Sequence, residues 1–288
     1  MGRTTRWFLA LGLLGSLSAQ AASPVWAIRG AHNTLYLAGS VHLLPSEDAA
    51  LPAPLERAYG ASAKLVMELD LANLDPLQAA GWMMQHGALP AGTSLREVLG
   101  AARYARVSTA AAGLGLTMEP LENQSPWVVA IELADLEYLH LGFDPQHGVE
   151  EQLVERARGD GKATAGLETL DEELGGFEAL SREDQLQLLD STVSELKDTP
   201  AQLRTVLGAW RRGDADALAA LLSSEYRSFP VLYRQLVSAR NERWLPQLRE
   251  LLKGDDDCLV VVGALHLVGK GGLLELLRRD GFTATQMN

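Results

Sequence analysis

Two histidines follow matching stretches of sequence near opposite ends of the chain, and their type and spacing suit chemistry. One stretch, LYLAGSVHLLP, contains Gly39 and His42, and the other, LVVVGALHLVG, contains Gly263 and His266. In both, an apolar run typical of a β-strand leads to a glycine that we expect to end the strand in a turn. The histidines would then project from loops beyond the carboxyl ends of strands, where open α/β sheets keep their sites. Two imidazoles placed in this way can share one metal ion or one reacting centre.

A third candidate is Glu68, which lies within the apolar segment VMEL. An ionised carboxylate in such a segment is costly unless it is paired, hydrogen-bonded or bound to a cation. Two interpretations stay open: a strand-end glutamate held by an arginine, or a metal ligand or general base beside His42. Two histidines and one carboxylate with an open position suit zinc or another first-row divalent ion. Such an ion polarises a carbonyl and lowers the pKa of bound water.

The elements that must position these residues are strands at the two ends of the chain. Residues 35–38, 64–69 and 258–262 have strand character, and 163–167 can add a short strand. Between the ends, helical periodicity prevails. We therefore predict a single α/β domain over residues 23–288. Its central mixed β-sheet is formed by the N- and C-terminal parts of the chain, with a large helical insertion between them.

Capping residues predict where the helices begin and end. Asp75 and Pro76 can start one helix, and Ser94 with Glu97 has the spacing of a capping box for a second helix that stops at Gly113. Further helices are predicted at 127–141, at 149–158 ending at Gly159, within 181–226 with breaks at Pro200 and Gly213, at 231–239, at 242–252 after Asn241, and at 272–279, followed by a closing strand at 282–286.

The first 22 residues have the pattern of a secretory signal peptide. Arg3 and Arg6 precede an apolar stretch over residues 7–17, and Ala19-Gln20-Ala21 offers an Ala-x-Ala cleavage site. This predicts cleavage and export, most simply to a bacterial periplasm. No later segment reaches 18 consecutive apolar residues, so we expect no stable membrane insertion.

Composition narrows the function classes further. The chain has 288 residues, a formal net charge of −12 and a single cysteine. An internal disulfide is thus impossible, and stability must come from packing. No basic stripe is visible, which argues against a nucleic-acid partner. Composition specifies no oligomeric state.

Several separate motifs together make the chain resemble the TraB/GumN family, whose relatives include the Tiki proteases. The paired Gly-x-x-His motifs, Glu68 and the closing run VVVGALHLVGKGGLLELLRRDGF carry the resemblance, which covers about residues 25–285. Other matching pieces are Trp26, Pro126-Trp127, Gly142-Phe143-Asp144, Gly148-Val149-Glu150, Gly166-Leu167-Glu168-Thr169 and Arg240-Asn241. The resemblance implies an EreA/ChaN-like fold, related to erythromycin esterases and to a haem-binding lipoprotein. It also implies divalent-metal-dependent peptidase activity.

The resemblance assigns roles to five residues. His42, His266 and Glu68 correspond to the core site of the family, and Arg240 with Asn241 matches a recurrent pair on a helix close before the last strand. Two roles for Arg240 stay open. It can bind a substrate carboxylate or an oxyanion by bidentate donation, or it can pair with Glu68 or cap a helix.

Three further residues are additional candidates: His147, Glu150 and Glu168. His147 lies beside Glu150 in sequence and can join the site. Glu150 falls near the start of a predicted helix, where the helix dipole favours a carboxylate in any case. Glu168 can be a second site carboxylate or a strand-end cap.

These residues favour a secreted metal-dependent hydrolase that acts on a peptide or small-molecule substrate. His42 and His266 would hold zinc, manganese or cobalt, and Glu68 would ligate the metal or activate water. The first alternative is a non-catalytic binding protein for haem, metal or peptide. The second is a metal-free esterase with His42 as general base. The chain has neither a His-Glu-x-x-His helix nor a Gly-x-Ser-x-Gly elbow, so neither a standard zinc protease nor a serine hydrolase is indicated.

Overall fold

A six-stranded mixed β-sheet forms the centre of the structure, a computed structural model that describes residues 23–288. The strands of the described residues are β1 (Val25–Arg29), β2 (Thr34–Ser40), β3 (Leu44–Pro45), β4 (Lys64–Met67), β5 (Phe143–Asp144), β6 (Ala163–Gly166), β7 (Cys258–Gly263) and β8 (Ala284–Gln286). The sheet order is β6-β4-β7-β2-β1-β8, and β3 pairs separately with β5. Strands β6, β4, β7 and β2 run parallel, whereas β1 is antiparallel to both β2 and β8. The predicted fold class is confirmed.

Helices make up most of the remainder. The α-helices of the described residues are α1 (Ala53–Ala61), α2 (Pro76–His86), α3 (Leu95–Gly113), α4 (Pro126–His140), α5 (Val149–Asp160), α6 (Leu170–Glu178), α7 (Arg182–Glu195), α8 (Thr199–Arg211), α9 (Ala215–Glu225), α10 (Pro230–Tyr233), α11 (Ala239–Leu251), α12 (Ala264–Leu267) and α13 (Leu273–Arg279). A π-helical segment, Arg234–Ser238, joins α10 to α11.

Burial on both faces explains why the central strand is continuously apolar. Strand β7 lies between β2 and β4, and its residues from Cys258 to Val262 are all buried. A parallel strand that is covered on both faces carries no polar alternation, which is why the sequence reads CLVVV. The same burial makes the sheet a rigid support for whatever follows its strands.

The helical insertion has an apolar cluster of its own. Helices α3, α4 and α7 contribute to it residues such as Leu95, Val129 and Leu189, which are fully buried. At its edge, Asp190 of α7 pairs with Arg103 and Arg106 of α3. One part of the predicted insertion therefore packs around a core of its own, while helices such as α5, α8 and α11 pack on the core of the sheet.

The structure confirms the cap predictions and corrects several boundaries. The Asp75 side chain accepts from the Leu77 N–H, and Ser94 forms the predicted capping box. The predicted stop at Gly159 was wrong: α5 runs on to Asp160, because Gly161 supplies the left-handed conformation (φ 64°) that ends the helix. Residues 230–251 are continuously helical, so Asn241 marks no break.

Other elements were not predicted at all. Strand β1, helices α1, α6 and α12, and the small β3–β5 pair had no counterpart in the sequence-based prediction. Residues 1–22, the predicted signal peptide, lie outside the described residues. Between residues 23 and 288, no helix combines the length and apolar character needed to cross a membrane.

Candidate functional site

The carboxyl ends of three adjacent parallel strands bring the predicted residues together. Glu68 follows β4, His266 follows β7 in α12, and His42 follows β2. A Cβ placed on Gly263 would lie 3.4 Å from Glu68 Oε1, 3.5 Å from His42 Nε2 and 3.6 Å from His266 Cδ2. Residues separated by more than two hundred positions therefore surround one point at the edge of the sheet.

The two glycines do not form the unusual turns that the sequence predicted, and Gly39 serves this arrangement by close packing. Neither Gly39 nor Gly263 has a positive φ, and both lie within strands. A Cβ on Gly39 would come within 3.0 Å of Ala264 Cα and of Leu267 Cδ1. Glycine at 39 thus lets β2 approach α12, and His266 projects from that short helix instead of the expected loop.

Asn241 fixes the tautomer of His266. The Asn241 Nδ2 donates to the carbonyl oxygens of His266 (3.1 Å) and Gly271 (2.9 Å), so Oδ1 is left as the acceptor for His266 Nδ1 at 2.8 Å. The Nδ1 therefore carries the proton, and Nε2 keeps its lone pair. Burial lowers the pKa of His266 to about 4 against the opposing influence of Glu68, so the ring is neutral near pH 7.

Glu150 orients the ring of His42, as Asn241 orients that of His266. Its Oε1 lies 2.9 Å from His42 Nδ1 and also accepts from the Ser40 hydroxyl. The second oxygen of Glu150, Oε2, is buried and has no hydrogen-bond partner. Glu150 raises the pKa of His42, and since the His42 side chain is 60% exposed, water screens part of this attraction. Burial alone would raise the pKa of Glu150, but His42 and Ser40 outweigh it and the net shift is downward.

Arg240 holds Glu68 and Glu168 together. Its Nη2 donates to Glu68 Oε2 at 2.5 Å and also contacts Glu168 Oε1, to which its Nε donates at 2.8 Å. The backbone N–H of Gly263 donates to Glu68 Oε1 at 2.6 Å. Of the interpretations that the sequence left open, the structure shows Glu68 held by an arginine. That arginine is itself buried, with 7% of its surface exposed.

Glu68 is ionised in this setting. Burial alone would raise its pKa, but His266, Arg240, His42 and the Gly263 N–H together lower it to about 2. Because His266 is itself neutral near pH 7, Arg240 supplies the main attraction there.

A third carboxylate, Glu173, completes an acidic cluster around Arg240. One carboxylate oxygen from each of Glu68, Glu168 and Glu173 lies within 4.8 Å of the other two. Burial, reinforced by Glu68, raises the pKa of Glu173 to about 7. Burial also raises the pKa of Glu168, although Arg240 opposes this. Three carboxylates facing one guanidinium leave excess negative charge, and Glu173 is the member that takes up a proton first.

The imidazole nitrogens and carboxylate oxygens of the site are the kinds of atom that bind a divalent metal. Among the described residues, the acidic cluster of Glu68, Glu168 and Glu173 brings three possible ligand oxygens within 4.8 Å of one another, but Arg240 already pairs with two of these carboxylates. His42 and His266 each have Nδ1 engaged by an oxygen, as metal-binding histidines do, and Arg240 Nη1 lies 3.5 Å from His266 Nε2. Glu68 Oε1 lies 4.0 Å from His266 Nε2 and completes a set of two imidazoles and a carboxylate.

Comparison with known proteins agrees with this arrangement of motifs. The model of the TraB/PrgY/gumN family matches residues 24–286. The chain belongs to the TraB/PrgY/gumN family. Uncharacterized protein YbaP of Escherichia coli K12 is 25% identical over 268 residues, covering 88% of this chain and 97% of that protein. An uncharacterized protein of Treponema pallidum is 25% identical over 293 residues, covering 94% of this chain and 85% of that protein. No solved structure matches the chain significantly.

Some predicted residues of this TraB/PrgY/gumN chain lie at the margin of the site. His147 precedes Gly148, where a Cβ would lie 2.0 Å from the His42 carbonyl oxygen. The His147 Nδ1 is buried without a hydrogen-bond partner. His147 is thus next to the His42 loop, while Glu150 and Glu168 make direct contacts in the site.

Sequence reasoning missed three contributors, Ser40, Glu173 and Trp244. The Trp244 ring lies 4.7 Å from that of His266, and its Nε1 donates to Glu168 Oε2 at 3.1 Å. The signal for Glu173 was present in the sequence, since Thr169 and Glu172 have capping-box spacing that places Glu173 in the first turn of α6. Trp244 follows Arg240 by four residues, which is one helical turn.

Proposed function

We propose that this member of the TraB/PrgY/gumN family is a divalent-metal-dependent hydrolase of peptide or amide bonds. One observation carries the proposal: the Nδ1 atoms of His42 and His266 are each bound to an oxygen, so both Nε2 atoms face the space beside the Glu68 carboxylate, where Arg240 Nη1 lies 3.5 Å from His266 Nε2. This orientation is the one that metal-binding histidines require. A bound divalent ion would polarise the substrate carbonyl and lower the pKa of a water molecule.

In this proposal the two histidines bind the metal, and neighbouring charged residues set the protonation state of the ligands. His266 is neutral and offers a lone pair without losing a proton. His42 must lose the proton that Glu150 stabilises before Nε2 can act as a ligand. Arg240 keeps Glu68 ionised and oriented. The exposed ring of His42 marks the side from which substrate approaches.

Glu173 is suited to hold or release a proton at this site. Its pKa of about 7 lies close to neutral pH, where a group can both accept and donate a proton during hydrolysis. It lies 3.5 Å from Arg240 Nη2, beside the ionised Glu68. Glu173 thus supplies a proton-transfer group that neither histidine provides.

We place the activity outside the cytoplasm. The leader pattern of residues 1–22 supports export, most simply to a bacterial periplasm.

Metal content and turnover test the proposal together. The mature protein is loaded with zinc, manganese or cobalt, dialysed, and analysed by elemental mass spectrometry alongside His42→Ala and His266→Ala. We expect about one ion per wild-type chain, loss of it in both variants, and cleavage of a fluorogenic peptide library only by the loaded wild type. His32→Ala is the matched control, because His32 is exposed and lies outside the site. Equal metal content in all four proteins would refute the metal role of the histidines.

A metal-free esterase is the second candidate, and the His42–Glu150 pair favours it. A histidine whose Nδ1 binds a carboxylate presents Nε2 as a general base once it has lost the proton that this carboxylate stabilises, and the largely exposed ring can reach a substrate. Ester hydrolysis that survives a strong chelator but disappears in His42→Ala would select this candidate. Loss of all activity on chelation would reject it.

A further inference from the structure

A cavity of about 540 Å³ lies among the helices of the insertion, next to the helix that carries Arg240. Its walls come from α4, α7, α8, α9, α10 and the π-helical segment. Representative lining side chains are Leu188, Leu203, Val206, Leu221, Leu232 and Leu236. This volume is within the range of sites that enclose a small organic ligand.

Several polar groups of the lining are already paired with neighbouring groups of the chain. The Ser191 hydroxyl donates to Glu195 Oε1, and the Thr192 hydroxyl donates to the Leu188 carbonyl oxygen. The Thr199 hydroxyl donates to the Glu195 carbonyl oxygen. The charged side chain on the lining is Glu195. Gln202 and Ser224 also line the cavity, so the surface offered to a ligand is apolar in its larger part and polar elsewhere, and a ligand with negative charge is disfavoured.

One helix contributes residues both to the cavity and to the candidate site. Leu232 and Leu236 line the cavity, and Arg240 lies one turn beyond Leu236 on the same continuous helix. The Arg240 Nη1 donates to the Leu236 carbonyl oxygen at 3.3 Å. The turn between them is π-helical, a local distortion that is frequent at functional sites. Helix α9, which contributes Leu221, also packs against α12, the helix of His266.

We propose that this cavity binds a large, uncharged apolar group that adjoins the bond cleaved at the His42–His266 site. The group is an aliphatic or aromatic one next to an amide, supplied either by a peptide side chain or by an acyl chain. The proposal rests on the proposed hydrolase function and specifies its substrate class. Small or charged substrates would leave the cavity unfilled and be poor substrates.

Binding is tested first without turnover, with the uncharged fluorescent probe N-phenyl-naphthylamine. Leu203→Trp narrows the cavity from α8 and should weaken probe affinity roughly ten-fold or more. Thr205→Trp is the matched control, because Thr205 is exposed on the same helix. Wild type, Thr205→Trp and His42→Ala should bind one probe per chain with equal affinity. Failure of wild type to bind, or unchanged affinity in Leu203→Trp at an unchanged melting temperature, would overturn the proposal.

Turnover then identifies the source of the apolar group. Peptides with Leu or Phe beside the cleaved bond are compared with Ala peptides and with octanoyl amides. Leu203→Trp should raise KM for the preferred large substrate, whereas Thr205→Trp should leave that KM unchanged. Probe binding without any turnover would refute the hydrolase and leave the cavity as a site for apolar ligands. Turnover with equal efficiency for Ala and Leu peptides would refute the cavity as a substrate subsite.

Discussion

Gly263 is the residue at which the candidate site converges. Its backbone N–H donates to Glu68, and the place where a Cβ would stand is bordered by Glu68, His42 and His266. Its φ of −49° is accessible to any residue, so the backbone conformation does not require glycine here. Glycine is required because any side chain at this position would enter the space between Glu68, His42 and His266.

Gly263→Ala should therefore leave the fold intact and disable the site. The added methyl would make ordinary contacts of 3.4–3.6 Å with the three side chains but fill the space between them. We expect a melting temperature within a few degrees of wild type, together with loss of metal binding and turnover. Gly39→Ala is the contrasting variant: contacts of 3.0 Å with α12 should destabilise it by about 1–3 kcal/mol. Full metal binding by Gly263→Ala would refute the prediction that the metal site converges at Gly263.

Glu173 makes stability depend on pH. Its pKa in the folded protein is about 7, above its ordinary value of 4.5, so the native state holds more protons between these values. Stability linked to Glu173 is therefore complete below about pH 4.5 and is lost as the pH rises through 7. Glu173→Gln should be more stable than wild type at pH 8, on the order of 2 kcal/mol, and equal to it at pH 4.

Urea unfolding of both proteins at pH 4, 5.5 and 8 measures this difference. Glu151→Gln is the control, because Glu151 is an exposed glutamate on α5. A constant difference between Glu173→Gln and wild type across the three pH values would contradict the assignment.

At the scale of elements, α6 determines the geometry of the acidic cluster. Glu168 ends the segment after β6, Thr169 caps α6, and Glu173 lies in its first turn. The cap orients the helix by hydrogen bonds from the backbone N–H of Glu172 to Thr169 Oγ1 (3.3 Å) and of Thr169 to Glu172 Oε2 (2.8 Å). Two of the three carboxylates around Arg240 thus depend on how α6 begins.

Thr169→Ala should cost about 1 kcal/mol of stability and disturb the site as well. Ser94→Ala removes the same type of cap from α3, in the helical insertion, and should cost a similar free energy. We expect metal affinity to fall roughly ten-fold in Thr169→Ala only, since its effect passes through the residues that surround the ligands. Equal metal affinity in the two variants at matched losses of stability would show that α6 does not position the site.

At the scale of the molecule, protection from solvent is uneven. The sheet core and the α3–α4–α7 cluster are separate apolar groups of buried residues. Helix α2 has no buried residue and exposes Leu77 and Met84. Segments that bury little apolar surface open at low free-energy cost.

Hydrogen exchange followed by mass spectrometry should therefore separate helices of similar length. We expect α2 (Pro76–His86) to exchange well before α5 (Val149–Asp160), which buries five residues, and before strand β7. Equal protection of α2 and α5 would indicate that α2 is covered in solution by something outside the chain.

The amino-acid sequence by itself indicated most of the residues that meet at the candidate site and much of the local structure. The histidines of the Gly-x-x-His pairs follow strands, Asp75 and Ser94 cap helices as predicted, and the apolar run before Gly263 is the central strand. These features depend on neighbours a few residues away, through hydrogen bonds and periodicity that the sequence displays directly.

Only the tertiary structure decided which charges meet. That Arg240 lies among Glu68, Glu168 and Glu173, and that Glu150 orients His42 while Asn241 orients His266, follows from strand order and helix packing. Contacts between residues 25 to 172 positions apart leave no local pattern, because the energy of a buried charge depends on its spatial neighbours and not on its neighbours in sequence.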